Sequence, residues 1–359
     1  MPLDVKTLLK KLSEVPAPSG HEGPVRDLLR AEWAGLVDAF ETDRLGSLIA
    51  LKRGSGPEPR RKIMVCAHMD EIGLIVVEVR DGFIRTAPLG GTDSRVLLMQ
   101  PVLVHGRRVL PGVFGAAPPH MARERGQYPG WDDLWIDVGL PADEVAGLVR
   151  VGDIVTFDVS PAELKGDRLV GKSLDNRASV AAVTVCLDEL TRVTHAWDVV
   201  AVASVQEEVG ALGALTAAYQ IQPDAAIAVD VTFGSQSGAG DDESFDLGSG
   251  PTLSIGPNFH PRLVRQAREV ARSLEMKLQI ETLPGDSGTD AWVIQVSREG
   301  VPTILFGMPI RNMHTPVEIV DVRDVTRAGR LMAALIARMP PDFLDTIAWP
   351  LPDSQTEPN

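Results

Sequence analysis

Two adjacent glutamates, Glu207 and Glu208, follow an apolar run from Val199 to Val205. A run that short and that rich in β-branched residues reads as a buried strand of a parallel sheet. Carboxylates at the end of such a strand need partners, because burying a bare charge is costly. Neighbouring acids there can take separate roles, one binding a metal while the other moves protons. Other strand ends offer matching groups. Ile63–Ala67 leads into His68, Met69 and Asp70, and Ala225–Val229 leads into Asp230. Asp175 opens a helix after Gly171-Lys172-Ser173-Leu174, and His314 follows the strand Pro302–Phe306. Histidines and carboxylates thus come from separate segments that can converge on one crevice.

Imidazole and carboxylate together suit a divalent metal of the zinc type. His68, Asp175, Glu208, Asp230 and His314 are enough for two metals that share a bridging carboxylate, each keeping a position open. Metal pairs about 3.5–4 Å apart serve hydrolysis. Asp70, two residues past His68, would face the same way in a strand and hold the second imidazole N–H. Singly, each residue has an ordinary reading. His68 alone is a satisfied strand-end histidine, Asp175 an N-cap, Asp230 a turn residue, His314 a loop histidine and Glu207-Glu208 a solvated turn. Their common placement at strand ends favours the metal site.

The elements that must position them form a three-layer α/β/α sandwich with an inserted β-rich domain. Helical periodicity covers 4–15, 22–37, 176–190, 210–220, 260–275 and 322–338, between short buried strands. Ligands of such α/β folds bind at the carboxyl ends of the strands. Between about 73 and 166 short β-rich runs alternate with turns such as Asp81-Gly82 and Gly90-Gly91, which reads as a small barrel or sandwich. The expected division is therefore a discontinuous catalytic domain, 1–72 and 167–345, an insert, 73–166, and a flexible tail, 346–359. Pro118–Asp133 reads as a mobile loop, and the acidic stretch 234–250 as a solvated one.

Composition narrows the function. The 359 residues carry a net charge of −14 and only 5% aromatics, against a nucleic-acid binder. Cys66 and Cys186 lie in apolar stretches and read as reduced core residues. The first residues lack a signal-peptide pattern and no apolar run is long enough for a membrane span, so a cytoplasmic location is expected.

Several segments together resemble the tetrahedral, or glutamyl-type deblocking, aminopeptidases, dinuclear metallopeptidases often labelled endoglucanases. They are Pro18-Ser19-Gly20-His21-Glu22, Ala67-His68-Met69-Asp70-Glu71-Ile72-Gly73, Leu169–Arg177, Val205–Gly210, Asp230-Val231-Thr232, Gly288-Thr289-Asp290-Ala291 and His314–Glu318. The resemblance spans about residues 5–340. It implies that Asp175 bridges two metals, zinc first with cobalt or manganese as alternatives. His68 and Asp230 would complete one metal site, and Glu208 and His314 the other. It assigns Glu207 as general base and acid toward water and the leaving amine, and Asp70 as the group orienting His68. The insert corresponds to a dimerisation domain, and the implied assembly is homodimers joined into a homododecamer acting on peptides. The chain departs from the family pattern at Asn176, where many relatives have a second acid, and at Ala211-Leu212-Gly213, where many have Leu-Arg-Gly.

The expected activity is removal of N-terminal residues from peptides. An amidohydrolase or carboxypeptidase on the same scaffold and a non-catalytic oligomeric peptide-binding protein are the alternatives. A glycan hydrolase would also use two carboxylates but needs no histidine ligands.

Overall fold

The computed structural model describes residues 3–115, 129–238, 240 and 244–348. Much of the expected loop 118–133, the acidic residues Asp241, Asp242 and Glu243, and most of the expected tail lie outside the described residues.

Four mainly apolar, buried strands pair in parallel at the centre of an 11-stranded sheet. They are Asp198–Ser204, Lys62–His68, Ala225–Phe233 and Thr303–Arg311, in that spatial order. Strands buried on both faces need no polar alternation, which is why they appear in the sequence as unbroken apolar runs. Antiparallel strands flank them. Leu48–Lys52 covers one side, and Glu318–Asp321 followed by Arg168–Gly171 extends the other.

Helices cover both faces. Val5–Glu14, Leu174–Glu189 and Val322–Ala337 pack together on one side, and Leu212–Ile221 and Asp290–Gln295 on the other. Val5–Glu14 buries Val5, Leu8, Leu9 and Leu12 along one stripe, and its N-cap Asp4 accepts the Thr7 N–H at 3.1 Å. Leu174–Glu189 is instead buried almost all round, from Leu174 to Leu187. Its alanines and valines let it lie close to the sheet, and it carries Asp175 into the centre of the molecule.

Six strands between Gly73 and Phe157 close into an antiparallel barrel with its own apolar core, including Ile84, Val102, Val104, Phe114 and Ile136. Closure leaves no open sheet edge. The Ala162–Leu164 and Arg168–Gly171 hairpin returns the chain to the large sheet.

The structure adjusts the sequence reading in three places. Ala225–Phe233 runs on through Asp230, paired with Thr303–Arg311 as far as Phe233 with Ile310, so Asp230 stands inside a strand rather than ending one. Asp175 and Asn176 have non-helical backbone angles within the first turn of their helix, and the left-handed residue before it, Ser173, occupies the N-cap position. Strand Gln279–Thr282 pairs in parallel with Thr252–Ile255, and neither carries an apolar run that the sequence pattern singles out.

Candidate metal centre and active site

The strand ends bring the expected residues together. His68, the last residue of its strand, places Nε2 3.2 Å from Asp175 Oδ1 and 3.7 Å from Asp230 Oδ1. The second oxygen of Asp175, Oδ2, lies 3.2 Å from His314 Nε2, which is 3.6 Å from Glu208 Oε2. One carboxylate therefore faces two imidazoles from opposite ends. Donor atoms of His68, Asp175 and Asp230 all lie within 4.8 Å of one another, as do those of Asp175, Glu208 and His314. Glu207 belongs to neither group. Its Oε2 stands 3.8 Å from His68 Nε2.

Asp70 fixes the surroundings of these groups. It lies past the end of the strand, in a loop, yet its Oδ1 is 3.4 Å from His68 Nδ1. The same carboxylate accepts the backbone N–H of Glu207 at 3.1 Å and of Glu208 at 3.2 Å, and the Ser19 hydroxyl at 2.7 Å. One buried acid thus faces a histidine ring and accepts from the turn that presents both glutamates. Left-handed backbone at Ser173, Gln206, Ala211, Asn312 and His314 surrounds the crevice. Such conformations cost about 1–3 kcal/mol each and persist where the surroundings hold them.

Electrostatics single out the same cluster. Burial, with Asp230, Asp290 and Asp175 adding repulsion, pushes the Glu207 carboxyl up to about 9 despite attraction from His68. Burial and the charge of Asp175 raise Glu208 well above the ordinary range, and burial raises Asp230. Burial opposes charge on His68, but Glu207, Asp175, Asp230 and Asp70 outweigh it and raise its pKa. Asp175 is held low, its two histidine partners outweighing burial. Carboxylates that repel one another in a buried site call for cations. Glu208 Oε1 is buried with no hydrogen-bond partner among the described residues. The donor set, its spacing and this orphaned oxygen fit divalent metal binding.

Three supports go unassigned in the sequence reading. Glu318 accepts the Asp175 N–H and the His314 N–H, each at 2.9 Å, tying the two segments together. Its place in the segment His314–Glu318 was the only signal, because its partner Asp175 is 143 positions away. Glu71 forms a buried ion pair with Lys172 at 2.7 Å, beside the Ser173 hydroxyl, bracing the approach to Asp175. Gly90 and Gly91 bring the barrel segment's backbone against the crevice. A Cβ at Gly91 would lie 2.5 Å from His314 Nδ1, and one at Gly90 would lie 2.9 Å from Glu208 Oε2. At the departure Asn176 the side-chain amide donates to the Val229 carbonyl at 3.0 Å, while its Oδ1 is buried with no hydrogen-bond partner among the described residues. Cys66 and Cys186 are buried free thiols.

An α/β/α sandwich that gathers imidazoles and carboxylates at its parallel strand ends, with one glutamate outside the donor groups, has the make-up of a metallopeptidase. Known proteins agree. The M42 glutamyl aminopeptidase profile matches residues 46–331. A lysyl aminopeptidase of Pyrococcus furiosus is 39% identical over 347 residues, covering 94% of this chain and 98% of that one. The structure of an aminopeptidase from the archaeon Desulfurococcus kamchatkensis superposes with a TM-score of 0.89 at 38% identity, covering 96% and 97% of the two chains. The Pyrococcus horikoshii TET1 peptidase, described as able to assemble into a tetrahedron or a large octahedral shell, gives 0.80 at 29% identity over 93% and 99%. The chain belongs to the M42 glutamyl aminopeptidase family. It is a peptidase, a hydrolase of peptide bonds. Among the described residues no helix is long and apolar enough to cross a membrane.

Proposed function

We propose that this chain removes N-terminal residues from peptides with Glu207 as the proton carrier of a two-metal site. His68, Asp175 and Asp230 would hold one cation, and Asp175, Glu208 and His314 the other. The observation that carries this reading is the placement of the two Asp175 oxygens, each 3.2 Å from a different histidine. Divalent cations held there would supply Lewis acidity toward the scissile carbonyl and lower the pKa of water.

The protein side chains do the rest. Glu207, outside both donor groups, takes the proton of the attacking water and returns it to the leaving amine, work of the kind that contributes about 10²–10⁴-fold. Burial first, and then the charges of Asp230, Asp290 and Asp175, hold the Glu207 carboxyl up; a cation bound among those carboxylates would offset the repulsive part. Asp70 holds the ring of His68 and the backbone of both glutamates. Glu318 holds the backbone of Asp175 and His314. Zinc, cobalt and manganese all accept these donors.

The barrel is read as the assembly domain of a homo-oligomer, in line with the shells formed by the Pyrococcus horikoshii relative. Relatives named for lysyl activity and a family named for glutamyl activity share this scaffold, so the walls of the crevice must set which residue is removed.

The test is a panel of peptides with free and acetylated N-termini, run on protein of measured metal content and molecular mass. Cleavage restricted to free N-termini and abolished by a chelator is expected. Cleavage that survives acetylation would sink the aminopeptidase mechanism.

A further inference from the structure

The candidate metal ligands and the space beside them share one cavity of about 640 Å³. Phe233, Leu283, Trp292 and Met313 give it apolar walls, and Glu281 gives it a carboxylate. Among the described residues no lysine or arginine lines it. Asp286, at the exposed rim, is a further acid besides Glu281 that belongs to neither the candidate metal ligands nor the Glu207 position.

Glu281 is held in place by hydroxyl groups. Its Oε1 accepts from Thr232 Oγ1 at 2.5 Å, and its Oε2 from Ser254 Oγ at 2.8 Å and Thr252 Oγ1 at 3.3 Å. All three donors are buried residues of the sheet. Thr232 stands two residues past Asp230 in one strand, and so on the same face as that candidate metal ligand. A carboxylate locked by neutral hydroxyls, with no lysine or arginine on the described cavity wall, presents its charge to whatever enters.

We propose that Glu281 is a specificity-determining residue that selects peptides whose N-terminal residue is basic, lysine or arginine. The inference rests on the aminopeptidase reading above. The apolar walls take the methylene stem of such a side chain, and Glu281 takes its cationic head through a charge-assisted hydrogen bond. An N-terminal glutamate in the same cavity meets like charge and is rejected.

The test compares lysyl and norleucyl substrates carrying the same fluorogenic leaving group, with a glutamyl substrate alongside, on the metal-loaded full chain. Norleucine keeps the stem and lacks the charge. Wild-type kcat/KM for lysine is expected to exceed that for norleucine by about 30-fold, the lower range for a paired charge. Glutamyl substrate should be the slowest of the three. In Glu281→Gln the lysine-to-norleucine ratio should fall to near one. Lysinamide should likewise out-compete norleucinamide as an inhibitor of the wild-type protein, a reading that needs no variant to fold. A wild-type ratio at or below one, or a ratio kept in a folded Glu281→Gln, overturns the assignment while hydrolysis of norleucyl substrate leaves the aminopeptidase reading standing. Hydrolysis of none of the free-amino substrates would overturn both.

Discussion

The barrel and the large sheet bury different things. Between Gly73 and Phe157 the buried polar residues among those described are Thr86, Thr92 and Thr156, and none is charged. The sheet domain buries His68, Asp70, Glu71, Lys172, Asp175, Arg177, Asp230, Asp290 and Glu318. An uncompensated buried charge destabilises a fold, so this asymmetry marks where structure has been given over to chemistry. Among the described residues the barrel meets the site through backbone, where Gly90 and Gly91 pass beside Glu208 and His314. One region supplies charge and the other supplies closeness.

The sharpest way to break that contrast is to change the glutamate outside the donor groups. Glu207→Gln should lower kcat by about 10²–10⁴-fold, with metal content preserved. Steady-state kinetics beside elemental analysis checks this, and near-normal kcat would refute the proton-carrier role. Next in size is Gly91→Ala, a barrel-side change with a site-side effect. Its Cβ would sit 2.5 Å from His314 Nδ1, so either the loop or the imidazole must shift. A misplacement of that order is expected to cost about 10²-fold in kcat/KM.

The third prediction concerns charge and pH. In metal-free protein the Glu207 carboxyl is raised from 4.5 to about 9, so the folded state binds a proton that the unfolded state has released between those values. Stability with the metal removed therefore falls as pH rises through that window. Glu208, Asp230 and His68, all raised, act in the same direction. Metal binding opposes the effect, so the gap in Tm between metal-loaded and chelator-treated protein should widen from pH 5 to pH 9. A gap that stays constant would argue that the carboxylates do not hold the metal. Smallest on activity is Ile136→Ala in the barrel core. It should cost about 2–5 kcal/mol of stability by leaving a cavity. At 25 °C its kcat/KM should stay within about twofold, because distant sites behave nearly independently.

What the sequence disclosed followed the same division. His68 was legible because an unbroken apolar run announces a central parallel strand, and ligands gather at such strand ends. The apolar run before Asp230 is legible, but the end of its strand is not: the strand continues to Phe233, and an aspartate in that position looks like a terminator. The barrel was legible from its short β-rich runs and turns. Glu318, Glu281 and the Gly90-Gly91 pair gained no role from sequence. Each acts on residues far along the chain, and no local periodicity records that Glu318 meets Asp175 or that Gly91 meets His314. Glu281 was further hidden because its strand, Gln279–Thr282, is short and half exposed.

The most direct test of the shared role of Asp175 is calorimetric titration of chelator-treated protein with Zn²⁺, alongside Asp175→Ala. The wild type should take up two ions per chain, and the variant should lose tight binding at both positions. A wild type that binds no ion, or an Asp175→Ala protein that still binds two tightly, would contradict the account.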